Sequence, residues 1–171
     1  MKELIVIDDF LSKEDHHKFY ELTLKREWNP VHDERDSPFT SQSGYCSMTS
    51  FEDEEVQLLL SQCAMHSQLE TVIASYYSQS LYNKYDPKKP TYFHVDPGAG
   101  WTIVYFPHTQ EYDIQMGGET QILVNNQIVG VLPIPNRLIA FDGGLQHKGT
   151  SFGYYQARYS FAIQFSDNPP K

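Results

Sequence analysis

The feature that most constrains the fold is a change of pattern near residue 80. From there onward, short runs rich in β-branched and aromatic residues alternate with Pro, Gly and Asn. The runs are LYNKYD, PTYFHVD, GWTIVYF, GETQILV, QIVGVLPI, RLIAFDG and ARYSFAIQF. Strands of this length and spacing, with Asn125-Asn126 as a tight hairpin turn, predict a β-sandwich or barrel.

The first 79 residues are expected to supply one strand and the supporting helices. A strand is predicted over residues 3–10, and Ser12 with Asp15 begins a predicted helix that reaches Lys25. Apolar residues at helical spacing predict a second helix over residues 54–77, whereas residues 28–52 form a predicted loop. The fold class is therefore β-rich α+β, with N-terminal helices packed on the outside of a β core.

Length and composition limit the classes of function. A chain of 171 residues suits one domain, and its 40% apolar and 14% aromatic content excludes a disordered chain. A formal net charge of −9 makes nucleic acid or an anionic membrane an unexpected partner, while a peptide partner is compatible. Cys46 and Cys63 have no metal-type spacing, and no segment has the length of a signal peptide core or membrane span. A soluble cytoplasmic protein is expected.

His94 and Asp96 are the first candidate metal ligands. Side chains two apart on a strand share a face, so an imidazole and a carboxylate so placed can chelate one ion. The alternative is a solvated strand face. His147, at the end of LIAFDGGLQH, would complete a set of two histidines and one carboxylate, which suits non-haem Fe(II). A structural zinc site would need four closed ligands, and a zinc hydrolase motif is absent.

Arg158 and Ser160 on the last predicted strand also share a face. A guanidinium with a hydroxyl two residues on can receive a carboxylate, and the alternative is an outward-facing polar stripe. The aromatic side of the same strand would pack against the helices.

These motifs together resemble the 2-oxoglutarate/Fe(II)-dependent oxygenases, in their prolyl-4-hydroxylase-like branch. The resemblance is carried, in order, by Tyr85, the HVD of residues 94–96, TIVYF at 102–106, GGET at 117–120, LIAFDGGLQH ending at His147, and RYS at 158–160. It covers residues 80–166. The chain departs from the pattern of that branch at two places. The segment before His94 reads DPKKPTYF, and position 158 is an arginine where prolyl hydroxylases often have lysine.

The resemblance implies one oxygenase domain over residues 1–171, with residues 80–166 as a double-stranded β-helix, or jelly roll. It implies Fe(II) held by His94, Asp96 and His147, with 2-oxoglutarate bound by Arg158, Ser160 and Tyr85, and ascorbate as a further cofactor. The implied reaction uses O2 to hydroxylate a C–H bond while 2-oxoglutarate becomes succinate and CO2. The expected substrate is a protein or peptide side chain; a free amino acid or small metabolite, a non-catalytic cupin-like binding protein, and a metalloenzyme without 2-oxoglutarate remain alternatives.

The other conspicuous residues have structural interpretations. Five histidines are expected at the surface: His16, His17, His32, His66 and His108. Trp101, Tyr105 and Phe106 are expected in the core, Lys88 and Lys89 at the surface, and Asp142 in a turn. Glu119 is expected on a strand near the cavity, with Gly117 and Gly118 permitting a bulge or close backbone approach. Loops 29–52 and 107–117 are the candidate substrate-contacting segments.

Overall fold

The computed structural model describes residues 4–30, 44–96, 98–154 and 156–169. Three α-helices lie within these ranges: α1 (Lys13–Leu24), α2 (Glu54–Cys63) and α3 (Glu70–Ile73). Short 3₁₀ helices cover Ser67–Leu69 and Ile114–Met116. The strands are β1 (Ile5–Ile7), β2 (Asn29–Pro30), β3 (Tyr45–Thr49), β4 (Tyr76–Tyr85), β5 (Ala99–Tyr105), β6 (Thr120–Val124), β7 (Gln127–Val131), β8 (Leu138–Asp142), β9 (His147–Gly149) and β10 (Arg158–Ser166).

The strands form two antiparallel sheets. The larger sheet has the order β1-β8-β5-β10-β4-β3-β2, and the smaller sheet has the order β7-β6-β9. Pairs such as β1 with β8, β10 with β4 and β6 with β9 join distant parts of the chain, as in a jelly roll. The predicted fold class, with helices outside a jelly roll, is confirmed.

Apolar side chains form two layers, one on each side of the larger sheet. The outer layer joins the helices to the sheet: Phe19 of α1 is fully buried against Tyr82, Tyr105 and Phe161. The inner layer fills the space between the sheets and includes Val104, Phe106, Ile122, Val131, Ile139, Phe141 and Ala162. Each buried Val, Leu, Ile or Phe side chain contributes about 1.5–3 kcal/mol relative to exposure, so both layers hold the larger sheet in place.

Local signals set several boundaries as predicted. The Ser12 side chain accepts a hydrogen bond from the Asp15 amide at the start of α1. Asn125 and Asn126 have φ values of 49° and 61°, the left-handed conformations of a two-residue hairpin turn between β6 and β7. Trp101, Tyr105 and Phe106 are buried, as predicted.

Three predictions of secondary structure are wrong. The helix over residues 54–77 ends at Cys63, because His66 is extended and Tyr76 already belongs to β4, whose register with β10 overrides local helical spacing. The segment PTYFHVD contributes only an isolated bridge at His94 and no regular strand. Part of loop 29–52 is the strand β3, paired with β4; residues 31–43 of that loop, including His32, lie outside the described ranges.

Among the described residues, no helix is both long and apolar enough to cross a membrane.

Candidate active site

Backbone pairing brings His94 and His147 together across the mouth of the jelly roll. The His94 amide donates to the His147 carbonyl at 2.9 Å, and the His147 amide donates to the His94 carbonyl at 2.8 Å. The Asp96 amide donates to the Gly143 carbonyl at 2.9 Å. The two histidine segments therefore act as a short continuation of the smaller sheet, which places all three side chains on its inner face.

The three predicted ligand side chains converge on one point. One ligand atom from each of His94, Asp96 and His147 lies within 4.8 Å of the others. His147 Nε2 is 3.4 Å from Asp96 Oδ2, and His94 Nε2 is 3.8 Å from Asp96 Oδ1. Asp96 and His147 are buried, while the His94 side chain is 31% exposed. The cluster therefore has one open side.

Neighbouring groups orient each of these side chains. The Nδ1 atoms of His147 and His94 lie 2.9 Å from the Leu145 carbonyl and 3.3 Å from the Tyr92 carbonyl, so each Nδ1–H can donate there while Nε2 serves as the nitrogen that binds a metal ion. Thr102 Oγ1 donates to Asp96 Oδ2 at 2.5 Å.

The electrostatic balance keeps Asp96 ionised. Burial raises the pKa of Asp96, but the hydrogen bond and charge of His147 and the hydrogen bond from Thr102 outweigh burial, so the net pKa lies below its ordinary value. Two imidazoles and one carboxylate whose ligand atoms converge are a donor set that fits Fe(II), with coordination positions left for other ligands.

Arg158 lies deeper between the sheets and is only 1% exposed. Its Nε donates to the Gly118 carbonyl at 2.7 Å, and its two terminal nitrogens donate to Ser160 Oγ at 3.3 Å and Thr120 Oγ1 at 2.9 Å. The guanidinium stacks between aromatic faces, 5.2 Å from the Tyr85 ring centroid and 5.3 Å from that of Phe106. The predicted alternative of an outward-facing stripe is therefore wrong.

Arg158 has the properties of an anion receptor. Burial lowers its pKa to about 10, so the group stays charged at neutral pH. In the described part of the chain, no carboxylate forms an ion pair with it. Because the Thr120 and Ser160 hydroxyl oxygens accept from the guanidinium, their O–H groups remain able to donate to a carboxylate. Tyr85 contributes an aromatic wall, and burial raises the pKa of its phenol, which stays neutral.

Close packing fixes the guanidinium in this orientation. Gly118, whose carbonyl holds Arg158, has φ +85°, and a Cβ there would lie 2.4 Å from the Phe152 ring. Gly149 passes the guanidinium so closely that a Cβ would lie 2.8 Å from an Arg158 terminal nitrogen. The close approach predicted for the Gly117-Gly118 pair is thus found at Gly118.

Sequence reasoning missed Thr102 and Thr120 as contacts of the site. Both are polar residues at inward positions of otherwise apolar strands, and that signal could have identified them. The prediction that His108 lies at the surface is wrong. His108 is 4% exposed and packs against Phe152 and Tyr159, and burial lowers its pKa to about 3. His16 is half-buried, with Nδ1 2.6 Å from the Tyr105 hydroxyl.

The remaining predicted positions behave as follows. Asp142 ends β8, and its carboxylate accepts from the Gly144 amide at 3.0 Å in the turn that follows, so it helps to form the turn as predicted. The prediction that Glu119 lies on a strand is wrong, because β6 begins at Thr120; Glu119 is half-buried, and its carboxylate accepts from the Thr150 hydroxyl at 3.2 Å. Lys88, Lys89 and His17 are exposed, and His66 is half-buried.

Sequence comparison and structure comparison give different results. No protein-family model and no curated protein matches the chain. Solved structures do match. A prolyl-4-hydroxylase from Pseudomonas putida aligns with a TM-score of 0.76 at 14% identity, over 98% of this chain and 94% of that one.

Two further structures share the same architecture. A prolyl hydroxylase from Trichoplax adhaerens, in complex with a hypoxia inducible factor peptide fragment, aligns with a TM-score of 0.68 at 17% identity, over 96% of this chain and 83% of that one. HygX from Streptomyces hygroscopicus, with nickel and 2-oxoglutarate bound, aligns with a TM-score of 0.64 at 7% identity, over 95% and 82%. The chain therefore has the jelly-roll fold of prolyl hydroxylases and other 2-oxoglutarate/Fe(II) oxygenases.

Proposed function

We propose that this protein is a 2-oxoglutarate- and Fe(II)-dependent dioxygenase that hydroxylates a C–H bond. The observation that carries the proposal is that one jelly roll holds both the His94–Asp96–His147 cluster and a buried Arg158 that forms no ion pair with any described residue. A metal-binding protein without an anionic cosubstrate would have no use for a desolvated guanidinium, which costs several kcal/mol to bury.

Each residue has a role in this scheme. His94, Asp96 and His147 would hold Fe(II) through Nε2 and carboxylate oxygens. Arg158, assisted by the Thr120 and Ser160 hydroxyls, would bind the far carboxylate of 2-oxoglutarate, and Tyr85 would wall the same pocket. Bound Fe(II) would supply dioxygen activation coupled to conversion of 2-oxoglutarate to succinate and CO2, with ascorbate as a supporting reductant. The apolar layer around the site would exclude water from the reaction.

The proposed substrate is a protein or peptide side chain, with proline as the first candidate. Support comes from the structural neighbour that was solved with a peptide fragment bound and from the number of prolyl hydroxylases among the neighbours. Hydroxylation of a free amino acid or small metabolite is the second candidate.

The proposal can be tested without a substrate. Fe(II) and then 2-oxoglutarate are added to the apoprotein without oxygen, and the visible absorption spectrum is recorded. We expect a metal-to-ligand charge-transfer band that is lost in His147→Ala and retained in His17→Ala, a matched control because His17 is an exposed histidine on α1. Iron binding by the folded protein without such a band would refute the 2-oxoglutarate chemistry and leave a cupin-like binding protein, or a metalloenzyme without this cosubstrate, as the better description.

A further inference from the structure

Gln164 is an inward-facing residue at the far end of the strand that carries Arg158. Side chains of β10 alternate, so Arg158, Ser160, Ala162 and Gln164 face the space between the sheets. Gln164 pairs in register with Thr102, whose hydroxyl holds Asp96. Cross-strand partners have Cβ atoms about 4.5–5.5 Å apart, so the Gln164 amide lies one side chain away from the metal cluster.

A β-bulge follows Gln164 directly. The register of β10 shifts after this residue against both neighbours, β4 and β5. Bulges of this kind re-aim side chains next to active sites. Gly100 permits the bulge, because a Cβ there would lie 2.0 Å from the Phe165 carbonyl oxygen. The Gly100 carbonyl in turn accepts from the Gly143 amide, and the Gly143 carbonyl accepts from the Asp96 amide, each at 2.9 Å. The bulge and Asp96 are thus joined by backbone hydrogen bonds.

Gln164 is only half satisfied by its neighbour. Gln79 Nε2 donates to Gln164 Oε1, and no described residue accepts from the Gln164 amide nitrogen. Gln164 is 7% exposed. In the described ranges, the side-chain polar atoms that are fully enclosed and lack a partner belong to Glu55, Tyr82 and His108, so the Gln164 nitrogen is not one of them. The Gln164 amide nitrogen therefore keeps some accessible surface. A donor left open in this way is costly in a closed core but useful in a binding site.

Two apolar side chains continue the same face. Leu81 is two residues from Gln79 on β4 and packs on the inner layer, and Met48 of β3 pairs with Leu81 in register. Met48 is 56% exposed, which is unusual for an apolar side chain on an inward face. We call Gln79, Gln164, Leu81 and Met48 the amide shelf. The shelf combines an uncharged donor and acceptor with an adaptable apolar surface and carries no charge.

We propose that the amide shelf is the substrate subsite and that it takes an uncharged, extended peptide segment, with a main-chain carbonyl accepting from Gln164 and an apolar side chain on Leu81 and Met48. This inference rests on the proposed function for the reaction but concerns recognition alone. A free amino acid would place an ammonium and a carboxylate on a surface of amides and hydrocarbon, where neither charge is paired. A peptide segment presents only groups that the shelf can match.

The test compares two pools of probes on three proteins. The probes are capped hexapeptides of random sequence, acetylated and amidated, and an equimolar mixture of free amino acids. The proteins are the unaltered chain, Gln164→Leu and Gln164→Glu, with Gln121→Leu on β6 as a matched control. We expect capped peptides to raise succinate formation in the unaltered protein and the control. In both Gln164 variants we expect KM for the peptide pool to rise about tenfold, the loss expected for one hydrogen bond to substrate, with the charge-transfer band unchanged. Gln164→Glu keeps the acceptor for Gln79 but places a carboxylate at a buried position, so its melting temperature should fall while its KM rises; Gln164→Leu adds no charge and therefore carries the test of the hydrogen bond.

Several results would overturn the inference. These are stimulation by free amino acids instead of peptides, no stimulation by the peptide pool in a protein that shows the band, or an unchanged KM in both Gln164 variants. Absence of the band in the unaltered protein would instead refute the proposed reaction. Recognition is then measured separately, by mass spectrometry of capped peptides retained on the immobilised metal-free protein. Retention that Gln164→Leu abolishes supports the subsite, and equal retention refutes it.

Discussion

Replacing Arg158 by Met should separate cosubstrate binding from stability. Truncating one partner of a buried, hydrogen-bonded charge pair costs about 2–5 kcal/mol, and about 1.4 kcal/mol is a factor of ten, so 2-oxoglutarate should bind about 30-fold to several thousand-fold more weakly. The free protein responds differently. Loss of the donor leaves the Gly118 carbonyl without its Arg158 partner, at a cost of about 1–3 kcal/mol, but the variant also no longer buries a charge that no described carboxylate pairs. We expect the two effects to leave the free energy of unfolding within about 2 kcal/mol of its original value. That difference corresponds to a change of less than about 8 °C in melting temperature.

The assay is an anaerobic titration of the Fe(II)-loaded protein with 2-oxoglutarate, followed through the charge-transfer band, together with thermal unfolding of the metal-free protein. Arg137→Met is the matched control, because Arg137 is a second mostly buried arginine whose partner is Asp8, away from the cluster. Unchanged 2-oxoglutarate affinity in Arg158→Met would refute the receptor role. A much larger loss of melting temperature would show that the guanidinium is mainly structural.

Three other perturbations test the supporting residues. Thr102→Val removes the hydrogen bond to Asp96 and should weaken Fe(II) binding, measured by chelator competition, between about 10- and 100-fold; an unchanged dissociation constant would show that Asp96 needs no such support. Gly118→Ala forces a Cβ against the Phe152 ring at positive φ and should lower the free energy of unfolding by about 2–4 kcal/mol. In Gly117→Ala the nearest atom to the new Cβ, the Ser151 carbonyl oxygen, is 4.0 Å away, so this variant should lose only the energy of its strained backbone conformation. Equal losses for the two variants in urea unfolding would contradict this expectation. His108 has a folded-state pKa of about 3 against an ordinary 6.5, so the unfolded chain binds its proton first and stability falls as pH drops below about 6.5. Between pH 7.5 and pH 5, the free energy of unfolding of His108→Phe should therefore fall by about 2 kcal/mol less than that of the original protein. Identical pH profiles of the two proteins in urea unfolding would contradict the low folded-state pKa of His108.

The candidate metal ligands could be predicted because their spacing has a geometric consequence. His94 and Asp96 needed only the two-residue period of an extended segment, and LIAFDGGLQH gave a buried strand and a turn before His147. The environment of Arg158 could not be predicted in the same way. The side chain could face either way until the register of β10 with β4 and β5 placed it between the sheets. Thr120 contacts Arg158, which is 38 residues away in the sequence, and it is placed there by the pairing of β6 with β9 in the smaller sheet.

The failures in the fold have the same origin. The helical spacing of residues 54–77 is real, and Leu69 and Val72 are fully buried, but a strand that must reach β10 begins at Tyr76 and leaves no length for a continuous helix. His108 was placed at the surface because a lone histidine has no local signal for burial. Its environment is made by Phe152 and Tyr159, more than forty residues away.

The three-residue strand β1 has a consequence for handling this protein. It forms the outer border of the larger sheet and covers β8, in which Leu138, Ile139, Ala140 and Phe141 are all buried. Without β1, the unpaired amides of this apolar strand would be open to pairing with another molecule. Trimming the N-terminal residues to shorten the chain would therefore promote aggregation long before it disturbed the chemistry, and a purification tag with a cleavage site is safer when it leaves Ile5–Ile7 intact.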